Sequence, residues 1–174
     1  SMSPLSVLIL VLPLPLAFLL HDAEEVAVQH RWMVNHGEPL RERFPRLRPL
    51  LDRLQRLNTK AFALAALEEF IVLLCATACV LADVPFALEL WAALFLAFSL
   101  HLLLHLGQAL AVRGYVPGLV TSILLSPFAA YGVFCISLVM SPLKMFALAV
   151  TGAAFVALNL LFAHWLGLKL TRRR

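Results

Sequence analysis

Five stretches of this chain are long and apolar enough to cross a bilayer, and that pattern dominates everything the chain can fold into. They run from about residue 4 to 28, 61 to 82, 86 to 112, 116 to 140 and 143 to 168, and a membrane helix needs ~20 mostly apolar residues. Composition agrees: 62% of residues are hydrophobic and 14% charged, against roughly 45–50% and about 25% in globular domains. A soluble domain could not cover that much apolar surface, and a disordered chain needs the opposite balance. The chain therefore reads as an all-α integral membrane bundle of five transmembrane helices, one transmembrane domain over residues 1–174. Ser1-Met2 looks like a cleavage scar. The first apolar run has no positive n-region and no small-x-small site, so it reads as a retained span. Pro13 and Pro15 should kink that span or begin its regular helix. Cys75, Cys79 and Cys135 form no CxxC pair and read as small apolar helix residues.

The polar segment, residues 31–60, separates the first two spans. Leu40, Phe44, Leu47, Leu51, Leu54 and Leu57 recur at spacings of three and four, interrupted by Pro45 and Pro49. This predicts an amphipathic interfacial segment along the cytoplasmic surface, with Trp32 near the headgroups. With five spans, the first connection, the third connection and the C-terminus share one side, which then holds 13 of the 14 basic residues. The positive-inside rule places the N-terminus outside and the C-terminus in the cytoplasm. The same rule accounts for the arginine run without any nucleic-acid partner.

Polar residues interrupt the apolar spans. The first carries His21, Asp22, Glu24 and Glu25, the second Glu68 and Glu69, the third His101, His105 and Gln108, and the fifth Asn159 and His164. His21 lies three and four residues before Glu24 and Glu25, so all three can share a helix side. His101, His105 and Gln108 follow i, i+4, i+7, one stripe of a helix. Measured from the basic anchors Arg31, Lys60 and Arg113 at ~1.5 Å per residue, Glu24, Glu68 and His105 all fall roughly 10–12 Å into the membrane. Three spans thus bring polar groups to one layer of the cytoplasmic half.

An acid at a helix centre costs ~2.5–3.5 kcal/mol on insertion scales, and no lysine or arginine lies in the polar layer of these spans to offset it. Protonation, imidazolium pairing or a metal ion must compensate. A His/Glu set on several helices is a ligand set for one or two ions of zinc, iron or manganese. The expected metal ligands are His21, Glu24, Glu25, Glu69, His101 and His105. Glu25 or Glu68, where left outside the ligand set, would act as general base, and Asp22 and Gln108 would hydrogen-bond and orient the ligands. A hydrogen-bonded network tying helices together, and a proton or ion relay, are the competing readings of the same residues. Near the predicted start of the fourth helix, Arg113, Tyr115, Gly118 and Thr121 could form an anion or headgroup site, with Pro117 in the first helical turn.

These elements together resemble the HXXEE-motif family of small, uncharacterised bacterial membrane proteins. His21-Asp22-Ala23-Glu24-Glu25 matches its signature. Glu68-Glu69, the His101/His105/Gln108 stripe and the stretch from Arg113 through Tyr115, Pro117 and Gly118 to Thr121 are similar to its other recurring elements. The resemblance implies the same architecture and carries no activity, substrate or cofactor. The expected function is a metal-dependent enzyme of the bacterial inner membrane acting on a lipid or hydrophobic substrate, by hydrolysis or O₂-dependent oxidation. A small transporter, which a homodimer would make symmetric, and a non-catalytic membrane protein are the alternatives.

Overall fold

The computed structural model describes residues 3–172; Ser1, Met2, Arg173 and Arg174, which entered the expectations for the two ends, lie outside them. Five helical elements are long and apolar enough to cross a membrane. After short helical turns at Pro4–Ser6 and Val7–Val11, helix α1 runs Pro13–Arg43. A turn at Pro45–Leu47 leads into α2, Arg48–Arg56, the one further helix among the described residues. Helices α3 (Thr59–Leu81), α4 (Ala87–Val112), α5 (Leu119–Val139) and α6 (Pro142–Arg172) follow, and no strand forms among the described residues.

The prolines set the borders of the first helix. Pro13 and Pro15 offer no N–H to the preceding turn. The chain ahead of them widens into a π-helical turn closed by Leu12 N–H donating to Val7 O (3.0 Å), and the regular α-helix begins at Pro13. At the other end α1 does not stop near Val28. It continues through Pro39 to Arg43 and breaks at Phe44 (φ −124°, ψ 71°), the residue before Pro45. Residues 31–43 therefore extend the first helix, and only the chain beyond them turns back.

That return is pinned by a buried charge. Arg41 is buried; its guanidinium donates to Asp52 Oδ1 (2.7 Å) and to Gln55 of α2. Leu51 of α2 is buried, while Arg48, Arg53 and Arg56 are exposed. Asn58 then caps α3, its Oδ1 accepting from the Ala61 N–H at 2.8 Å.

Helix α4 is the hub, buried without a break from Trp91 to Phe98. Its neighbours approach through small residues, as membrane helices must when lipid gives no hydrophobic drive between them. A Cβ on Gly152 of α6 would fall on the Ala93 carbonyl, and one on Gly132 of α5 would strike the Phe95 ring. Gly167 likewise lets α6 reach the Ala61 carbonyl of α3. Outward residues such as Leu143, Phe146 and Leu158 are exposed, and their apolar surface suits lipid rather than water.

Candidate metal centre

Helices α1 and α4 bring His21, Glu25, His101 and His105 together, with one ligand atom from each lying within 4.8 Å of the others. His21 and Glu25 are one turn apart on α1, and His101 and His105 one turn apart on α4, so each pair faces one way. Glu25 Oε1 sits 2.7 Å from His21 Nε2, 3.4 Å from His101 Nε2 and 3.3 Å from His105 Nε2. The His101 and His105 Nε2 atoms are 2.9 Å apart. His21, Glu25 and His105 are buried and His101 is half-buried. Donors bound ~2.0–2.1 Å from one tetrahedral ion stand roughly 3.3 Å apart, so this spacing suits a single small cation. His21 Nε2, although near Glu25, is not aligned for a hydrogen bond and has no other partner among the described residues. A buried ring nitrogen left with its lone pair directed into a nest of acceptors fits a metal ligand better than a structural hydrogen bond. The cluster can hold a metal ion.

The other ring nitrogen explains the second acid of the motif. Glu24 points away from the cluster, because successive helical residues diverge by about 100°. Its carboxylate covers the N-terminus of α5, accepting from Thr121 N–H (2.8 Å), Val120 N–H (3.2 Å) and Tyr115 Oη–H (2.7 Å). It also takes the Thr121 hydroxyl proton at 2.6 Å. With that proton committed, Thr121 Oγ1 is left to accept from His21 Nδ1–H, 2.8 Å away. Nδ1 then carries the proton and Nε2 presents a lone pair to the cluster.

Two expectations change here. Glu24 was an expected ligand and lies outside the cluster. Of the expected headgroup residues Arg113, Tyr115, Gly118 and Thr121, Tyr115 and Thr121 donate to Glu24, which supplies an anion to the helix N-terminus, while Arg113 and Gly118 are not among its hydrogen-bond partners. Arg113, exposed, ends α4 in a left-handed conformation (φ 58°). Pro117 is a buried loop residue rather than a first-turn one, since α5 begins at Leu119. Gly118 has φ 93°, and a Cβ there would come 2.9 Å from His21 Cε1 and 3.0 Å from His105 Cε1. The glycine lets the loop lie directly over two ligand rings. The same loop is held to α1 a second time, Trp32 Nε1–H donating to Tyr115 O at 3.2 Å. Burial, and then the bond to Glu24, holds the Tyr115 phenol well above the usual tyrosine range.

Glu69 is buried beside Glu68, and both accept from the Asn159 side chain of α6, Glu68 at 2.9 Å. They form a helix tie outside the group of His21, Glu25, His101 and His105, although Glu69 lines the same cavity as Glu25, His101 and His105. Asp22, Gln108 and His164 line one cavity of about 430 Å³ together with Glu25, His101 and His105. Among the described residues neither Asp22 nor Gln108 hydrogen-bonds a cluster histidine, contrary to the orienting role expected of them. Thr121 takes that role for His21. Its position just inside a predicted helix start was visible in the sequence, but its partner, 100 residues away, was not.

A family model described as a protein of unknown function with HXXEE motif matches residues 12–132. No curated protein and no solved structure matches the chain. The match covers more than half of the sequence and contains His21, Glu25, His101 and His105, and the chain belongs to the HXXEE family.

Proposed function

We propose that this HXXEE-family protein is a membrane-embedded, metal-dependent enzyme acting on a hydrophobic substrate at the cytoplasmic leaflet. The observation that carries the reading is the placement of Glu25, His101 and His105 on the wall of a 430 Å³ cavity that is otherwise mainly apolar. That volume is within the range of small-molecule sites, about 300–1,000 Å³. A purely structural cluster would have no need of such a space beside it.

His21, Glu25, His101 and His105 are the proposed ligands of one ion of zinc, iron or manganese. When bound, the ion supplies Lewis acidity, polarising an oxygen or making water nucleophilic near neutral pH. One ion favours hydrolysis over two-metal oxidation, because Glu24, Glu68 and Glu69 are committed to Thr121 and Asn159. Glu25 holds the ion, and Asp22, facing the cavity without a hydrogen-bond partner among the described residues, is the acid placed to move a proton. Glu24 and Thr121 position His21.

The protein is placed in the bacterial inner membrane with its N-terminus outside, supported by basic residues concentrated on the side of α2 and the α4–α5 connection. The test has two parts. Protein purified gently in detergent should carry close to one metal ion per chain, or gain it when zinc, iron or manganese is added. Incubated with bacterial lipid extract, the loaded protein should produce a change in the lipid mass spectrum that chelation and Asp22→Asn both remove. Protein that neither carries nor takes up metal would overturn the reading; metal without any metal-dependent product would reduce the centre to a structural role.

A further inference from the structure

The shape of the cavity narrows the substrate class. Its wall on α4 runs from Leu94 to Val112, eighteen residues and so ~27 Å along the helix. A volume of about 430 Å³ spread over that length describes a tube rather than a chamber. The cluster is not at either end of it. Leu94 lies seven residues before His101 and Val112 seven after His105, so the tube continues roughly 10 Å to each side.

The two arms differ. The inner arm is lined mainly by the apolar Phe18, Val72, Leu73, Leu94, Phe98 and Val156, and Glu69 lines the same cavity one turn before Leu73. The outer arm is closed by α2, whose Leu50, Leu51 and Leu54 face the cavity. The opposite surface of that same short helix carries exposed Arg48, Arg53 and Arg56, with Arg46 in the turn before it. Among the described residues no arginine lines the cavity itself; these four lie on the outward face of the wall at that end, and their combined field is complementary to an apolar chain whose anionic head reaches the rim.

Building on the metalloenzyme reading, we infer that the cavity binds a single-chain amphiphile with an anionic head at the α2 end. Its chain is threaded past Glu25, His101 and His105, so that an interior position, not its terminus, lies against the cluster. The inner arm holds the distal part of the chain and measures how far the reactive position lies from the end. Helix α2, joined to α1 through Arg41, Asp52 and Gln55, forms the wall beside the head.

Photolabelling of the metal-loaded protein in nanodiscs tests this. The probes are long-chain carboxylates with a diazirine either at mid-chain or at the chain end. The mid-chain probe should label α4 around Phe98 to Leu104, and the terminal probe should label Val72, Leu73 or Leu94. Excess hexadecanoate should suppress both, and the matching alcohol probes should label several-fold less. Terminal labelling near His101 or on α2 would overturn the threaded geometry. So would labelling confined to lipid-facing residues such as Leu143. Equal labelling by the alcohols would overturn the anionic head. Metal content measured on the same preparation separates the two ideas. Full metal with the wrong labelling sinks this inference alone, and correct labelling on metal-free protein sinks the metalloenzyme reading alone.

Discussion

His21 Nδ1 lies 2.8 Å from the Thr121 hydroxyl, and that hydroxyl donates a hydrogen bond to Glu24. A carboxylate, a hydroxyl and an imidazole thus form a chain that fixes which nitrogen of His21 faces the cluster. Groups that orient a ligating histidine typically account for 10–100-fold in metal affinity. Thr121→Val should weaken metal binding by about that factor, and Thr121→Ser, which keeps the hydroxyl, should restore it. Titration against a chelating dye measures both. Equal affinity in the valine variant would show that His21 needs no such support.

The two glutamates of the motif should separate cleanly. Glu25→Ala removes a proposed ligand and should abolish stoichiometric metal, as should His105→Ala. Glu24→Ala should still reach one ion per chain at saturating metal, with the weakened affinity of the Thr121 variant. Elemental analysis after removal of free metal checks this. A metal-free Glu24→Ala protein beside a metal-filled Glu25→Ala protein would exchange the two assignments.

Gly118→Ala should damage both stability and the site. Its φ of 93° is strained for any residue with a Cβ, and the added carbon would press on His21 and His105. The left-handed conformation alone costs roughly 1–2 kcal/mol. The expected result is a lowered thermal unfolding midpoint in detergent together with loss of metal. An unchanged midpoint would mean that the loop can lift away from the histidines.

Tyr115 should resist ionisation. Burial and its hydrogen bond to Glu24 raise the phenol in the folded protein. A raised acid favours folding while it is protonated, so this contribution is present at neutral pH and is lost as pH climbs through the folded value. In ultraviolet titration, tyrosinate attributable to Tyr115 should form only well above the ordinary value of ~10. The Tyr115→Phe protein identifies it by difference, since the chain has 2 tyrosines. A component missing from Tyr115→Phe that titrates at the ordinary value would place Tyr115 in open solvent.

Much of the site was legible because helical periodicity is a local property. The spacing of His21 to Glu25 and of His101 to His105 puts each pair on one face whatever surrounds it. The cost of polar groups in lipid then argued that the faces must meet. Glu24 and Glu25 show where that reasoning stops. Adjacent residues on a helix point in different directions, and nothing in their spacing says which one looks at α4 and which at α5. The Glu24 contact at the start of α5 was hidden for a related reason. A helix N-terminus beside polar residues attracts an anion, but only the packing shows that the protein brings its own.

The sequence by itself determined five membrane-length helices, an amphipathic segment between the first two, and two His-bearing stripes. These follow from hydropathy and from a 3.6-residue repeat, which act over one or two turns of chain. The tertiary structure decided which stripes face each other, that Glu24 caps α5 while Glu25 joins the histidines, and that Arg41 is buried against α2. The helices meet through close approaches at Gly118, Gly132 and Gly152, where the absence of a side chain makes room for the His21 and His105 rings, the Phe95 ring and the Ala93 carbonyl. Such contacts join residues far apart in the chain, and their energies exist only once the helices have packed.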